Sequence, residues 1–144
     1  MWKALIICLT ITFCAGGAMA EGITHKIAIH VDDSDMRVMN MALNNAGNAR
    51  AYFNSIGDTV ILEIVAYGPG LQMFLKDQSP VADRIETMAL EFHDVQFSAC
   101  ENTLRVMRQK MDKPLEVLDE AVVVPSGVAR LVELQEAGYS YIKP

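Results

Sequence analysis

Residues 59–70, TVILEIVAYGPG, decide the fold. Thr59 to Tyr67 is nearly all apolar, too short for an ordinary helix, and reads as a strand covered on both faces. Gly68-Pro69-Gly70 breaks it sharply. A strand buried on both sides belongs to a parallel sheet with helices packed above and below, so the flanking segments should supply those helices.

They do, on both sides. Upstream, His25 to Val31 (HKIAIHV) alternates and is β-branched, which predicts a first strand. Asp32-Asp33-Ser34-Asp35 ends it and offers caps for a helix. From Met36 to Ile56 the apolar residues Met39, Ala42, Leu43, Ala46, Ala49 and Phe53 recur at three- and four-residue steps, and Gly57-Asp58 is the stop. Downstream, Leu71 to Leu75 reads as a short apolar turn, and a helix starts at Pro80 with Val81, Ile85, Met88 and Ala89 as its buried stripe. Asp94 to Ala99 is a third strand with Cys100 just past its end, followed by a helix over Glu101 to Met111. Glu120 to Val124 is a short strand. Pro125-Ser126-Gly127 turns into a helix carrying Val128, Leu131, Val132 and Gln135, with Gly138 at its end, and Tyr139 to Ile142 adds a last short strand. The alternation gives one α/β domain over residues 25–144, a sandwich around a mostly parallel sheet.

Composition removes several function classes. The 144 residues are 51% hydrophobic with 12 Lys+Arg against 18 Asp+Glu, a net charge of −6. No basic block is present for nucleic acid or an anionic membrane. Three Cys without a Cys-x-x-Cys pair offer neither a disulfide scaffold nor a zinc or dithiol motif.

The N-terminus reads as a cleaved secretory signal: Lys3, an apolar stretch from Ala4 to Cys14, then Ala18-Met19-Ala20 before the polar Glu21. Phe13 before Cys14 argues against a lipoprotein, and nothing after residue 20 resembles a stop-transfer segment. Cleavage after Ala20 would leave 124 residues with a charge of −7, and would remove Cys8 and Cys14. The expected location is periplasmic or secreted, without stable membrane insertion after cleavage. Cys100 is then the one remaining thiol.

Ligands of open α/β sheets bind outside the carboxyl ends of the strands. Four segments fall there: Asp32 to Asp35, Gly68 to Gly70, Cys100 to Asn102, and Pro125 to Gly127. Cys100 opens a helix, where free N–H groups favour a thiolate, while the adjacent Glu101 opposes it; the alternative is a small buried hydrophobe. Arg105, Arg108, Lys110 and Lys113 form a basic run behind it that would attract an anionic sulfur donor or simply be a solvated helix face. His25, His30 and His93 lack ligand spacing, and Met36, Met39, Met88, Met107 and Met111 follow helical stripes, so no metal and no cofactor is expected. Gly-x-Gly-x-x-Gly and a serine elbow are both missing.

The segments MALNNAGNARAYF (41–53), EIVAYGPGLQMFL (63–75), FSACENTL (97–104) and VPSGVARLVELQEAGYSYIKP (124–144) resemble the DsrE/DsrF-like family of small sulfur-relay proteins, and within it the intracellular sulfur oxidation branch. The resemblance implies a three-layer α/β/α fold and a homo-oligomer, a trimer or hexamer. It implies that Cys100 matches the cysteine carrying sulfur as a persulfide. Asn44, Asn45, Gly68, Gly70, Asn102, Ser126 and Gly127 match motif positions of the branch and are expected to line a substrate pocket. Sulfur-relay members work in the cytosol, so the export signal is a departure: transfer-RNA thiolation is not expected, and a donor or acceptor protein should be exported too. Two functions fit: an exported sulfur carrier acting through Cys100, or a non-enzymatic homo-oligomeric module binding a small ligand around a structural cysteine. Periplasmic metal handling is the weaker third.

Overall fold

Strand Thr24–Val31 (β1) leads into helix Met36–Ser55 (α1), strand Thr59–Ala66 (β2), a 3₁₀ segment Gly68–Phe74 and helix Ala82–Glu91 (α2). Strand Val95–Cys100 (β3), helix Glu101–Met111 (α3), strand Ala121–Val124 (β4), helix Gly127–Glu136 (α4) and strand Ser140–Ile142 (β5) follow. This computed structural model describes residues 22–144. The expected signal peptide, residues 1–20, lies outside the described residues.

All neighbouring strands are parallel, in the order β4-β3-β2-β1-β5. The first three crossovers step the same way across the sheet, and right-handed connections therefore put α1, α2 and α3 on one face. The fourth steps back from β4 to β5, which sends α4 to the other face. Packing agrees. Ile29, Val31, Leu62, Ile64 and Phe97 join Met39, Leu43, Ile85 and Leu104 in the larger core, while Ala28 and Val65 meet Leu131 and Leu134 in a smaller one. The result is a three-layer α/β/α fold with unequal outer layers.

Local chemistry explains the elements. Asp35 caps α1, its Oδ1 accepting the Arg37 N–H at 2.8 Å, as the acidic cluster led one to expect. Instead of a turn at Leu71–Leu75, a 3₁₀ segment begins at Gly68 and lies hard against the end of β1. A Cβ on Gly70 would stand 2.3 Å from the Val31 carbonyl oxygen, so only glycine allows the approach. α2 begins at Ala82, two residues beyond Pro80, with Val81 at its N-cap. On α4 the buried residues are Gly127, Leu131 and Leu134, whereas Val128 and Val132 are 59% and 50% exposed. The expected stripe was rotated from the true one because a single helix covers this face and leaves its far side uncovered.

α4 is also held by a buried ion pair. Arg130 grips Glu63 on β2 with two bonds of 2.7 Å, and the Ser98 hydroxyl on β3 donates to the same carboxylate at 2.6 Å. Glu63 is 3% exposed, and these bonds satisfy its buried carboxylate oxygens.

Candidate functional site

β3 and β4 are neighbours whose following helices lie on opposite faces. That makes their carboxyl ends the topological switch point of the sheet, where a crevice opens and ligands of such folds bind. Cys100 closes β3 and is the N-cap of α3; Ser126 follows β4 and is the N-cap of α4. Two helix N-termini therefore converge there.

Cys100 points to the α4 side of the sheet and is 4% exposed. Its side chain makes no capping hydrogen bond to α3. Burial pushes the thiol pKa up, but the Thr103 hydroxyl and the N–H groups of Gly127, Thr103 and Asn102, all directed towards the sulfur, bring it below the ordinary value. Thr103 is set for this work: its Oγ1 accepts the Gly68 N–H at 3.0 Å, which leaves its own proton for the sulfur. Glu101 lies 3.7 Å from Arg108, which partly balances the charge expected to oppose a thiolate.

Gly127 closes the other side. A Cβ there would stand 2.9 Å from the Tyr67 ring and 3.2 Å from the Cys100 Cβ. Tyr67 stacks on His30 at 4.4 Å between centroids. His30 is itself 4% exposed, and its Nδ1 pairs with the Tyr141 hydroxyl at 2.7 Å. Its Nε2 has no hydrogen-bond partner and lies 3.9 Å from the Asp32 carboxylate. Burial above all lowers the His30 pKa, Asp32 working against it and Lys143 with it, so the ring is neutral. Lys143 bonds Asp32 at 2.6 Å and holds that carboxyl below its usual range.

Of the residues singled out from sequence, the structure gathers Cys100, Asn102, Gly127 and Gly68 around the sulfur, Gly68 acting through Thr103. Ser126 is next to them, but its Oγ accepts the Ala129 N–H at 3.4 Å and serves as a helix cap. Gly70 shapes the neighbouring segment. Asn44 and Asn45 are not brought to the thiol. They sit on α1, roughly 13 Å along its axis from Met36, and Asn44 Oδ1 accepts from Arg84 of α2 at 2.8 Å. Asn44 belongs to a helix–helix seam. Sequence reading missed Thr103, Tyr67 and the pairing of His30. Thr103 alone left a trace, standing three positions after the N-cap where side chains return to cap residues.

Among the described residues no cluster of three His, Cys, Asp or Glu is placed to hold a metal ion, and no helix is long and apolar enough to cross a membrane. No curated protein matches this sequence. A solved structure from Methanobacterium thermoautotrophicum, the protein of unknown function MTH1491, is similar, with 29% identity and a TM-score of 0.71 over 83% of this chain and 99% of that one. A sequence model of the DsrE/DsrF-like family matches residues 25–144. On that match, with the α/β fold and the shared architecture, the chain belongs to the DsrE/DsrF-like family.

Proposed function

We propose that the protein is an exported sulfur carrier that holds sulfur as a persulfide on Cys100 and hands it to an acceptor in sulfur-compound metabolism. The observation that carries this reading is the placement of Cys100 at the N-terminus of α3 and directly against Gly127 at the N-terminus of α4. Family membership supports a sulfur-relay role. In the first step the Cys100 thiolate attacks the outer sulfur of a donor R–S–SH. A new S–S bond forms on Cys100, the donor's own S–S bond breaks, R–S⁻ leaves as a thiolate, and nothing is oxidised or reduced overall. An acceptor thiolate then attacks the outer sulfur and releases Cys100 as thiolate. The groups that lower its pKa make it a good leaving group for that second step. Cys100 is the only cysteine among the described residues, which suits an acceptor outside the chain.

The protein works in the periplasm or outside the cell, as a homo-oligomer. Its apparent signal peptide supports the location; the exposed valines of β4 and α4 support association. No nucleic acid takes part in this reading.

The test is intact mass of the mature protein before and after inorganic polysulfide, with and without reductant, alongside Cys100→Ser. A reductant-labile gain of sulfur, absent from the variant, is expected. Burial of Cys100 to 4% exposure favours the second reading, a small-ligand-binding module with a structural cysteine. Under it the native thiol resists alkylation and gains no sulfur.

A further inference from the structure

On the α4 side of the sheet Cys100 has three close neighbours. Val124 of β4 pairs with it, and Ala66 pairs with Ala99, so the next residue, Tyr67, stands beside it on the β2 side. Gly127 lies over both: a Cβ there would be 3.0 Å from the Tyr67 Cβ and 3.2 Å from the Cys100 Cβ. Gly127 is backbone at the start of α4, and Val124 is β-branched and stiff about χ1. Tyr67 is different. Its N–H is tied to the Val31 carbonyl, but its half-buried ring rests on the His30 stack, with no hydrogen bond to its hydroxyl among the described residues. His30 beneath it is 4% exposed, yet its Nε2 has no hydrogen-bond partner. A buried polar atom without a partner costs free energy, and that cost is relieved when the Tyr67 ring turns away and water reaches the imidazole. The closed arrangement is therefore weaker than an apolar stack would be.

We propose that Tyr67 is the gate of Cys100: rotation of its ring about χ1 bares the sulfur, and the unpartnered nitrogen of His30 keeps the closed state weak enough to open. The inference rests on the sulfur-carrier reading for what is admitted, first a sulfur donor and then an acceptor thiol. It reconciles a reacting thiol with an exposure of 4%. Closed, the ring keeps water from the sulfur; open, one passage serves both transfer steps. No backbone hydrogen bond has to break, because only the side chain moves.

The experiment follows alkylation of Cys100 by iodoacetamide in the mature protein across pH, read by intact mass. Tyr67→Ala should raise the plateau rate above the thiol's midpoint at least about tenfold, as for a wild-type open state populated to about 10% or less. The midpoint itself should not rise. Tyr67→Phe should match the wild type, because the hydroxyl bonds nothing. His30→Phe keeps a ring beneath Tyr67 and removes the stranded nitrogen, so its plateau should fall about fivefold. The Tyr67→Ala and His30→Phe variants thus move in opposite directions, which loss of stability alone does not produce. An unchanged plateau in Tyr67→Ala, a rise accompanied by a higher midpoint, or a His30→Phe rate equal to or above the wild type's overturns the gate. Iodoacetamide needs no sulfur transfer, so the two readings fail separately. If the variants behave as expected and none gains sulfur from inorganic polysulfide, the gate stands and the carrier reading falls.

Discussion

At the scale of single residues, the chemistry turns on how one sulfur is surrounded. Thr103→Val removes a hydroxyl donor while keeping the shape of the side chain. Its thiol should titrate higher than the wild type's and react more slowly at neutral pH, with Thr103→Ser restoring both; the pH profile of alkylation measures this. His30 gives a second prediction, about stability. Its folded pKa is lowered, so between the unfolded value of about 6.5 and the folded one the unfolded chain binds the extra proton. Stability therefore falls as pH drops through that window. His30→Gln should lose stability at pH 7.5 with the Tyr141 bond, yet its deficit should narrow by pH 5, since carboxylate titration is common to both proteins. Thermal melts across that range test it. The place of Cys100 at the carboxyl edge was legible in the sequence because it follows a buried strand and opens a helix, whereas its role was not, because a small buried hydrophobe fits the same position. Tyr67 and His30 were not, because their meeting is made by the register of β1, β2 and β5, which spacing within any one segment does not encode.

The elements were largely readable because their periods differ: β1 alternates, β2 is apolar throughout, and α1 repeats at three and four residues. α4 escaped this logic. Val128 and Val132 stand four apart as Gly127 and Leu131 do, and only the unequal covering of the sheet decides which stripe is buried. What fixes α4 in place is the Arg130–Glu63 pair. Arg130→Met should cost about 3–5 kcal/mol in denaturant unfolding, because it strands a buried carboxylate. Adding Glu63→Leu should recover much of that loss, since apolar pairs replace buried ion pairs well. A double variant no more stable than Arg130→Met would show that packing of the arginine stem, and not its charge, anchors the helix.

At the scale of the whole molecule, three helices cover one face and one covers the other. Val122 on the edge strand and Val128 and Val132 on α4 are 48%, 59% and 50% exposed. Burial of such residues is worth about 1.5–3 kcal/mol apiece when complete. The proposed homo-oligomer should therefore sediment as one species larger than a monomer, and Val128→Glu with Val132→Glu should shift it to the monomer while leaving the fold, read by circular dichroism, in place. A monomeric wild type would remove the oligomer from the proposal.

Strand β5 pairs with β1, the first strand of the sheet. As the chain folds, β1 can pair on one side with β2, its close neighbour in sequence, but its other edge stays open until Ser140–Ile142 docks. For that interval the backbone of Ile27 to Ile29 is a free template, and any extended segment arriving early competes with Ser140–Ile142 for it. Strand β5 thus carries the double duty of covering that edge and setting Tyr141 and Lys143 on His30 and Asp32. A folding chain covers its open template and acquires its finished site wall in the same event.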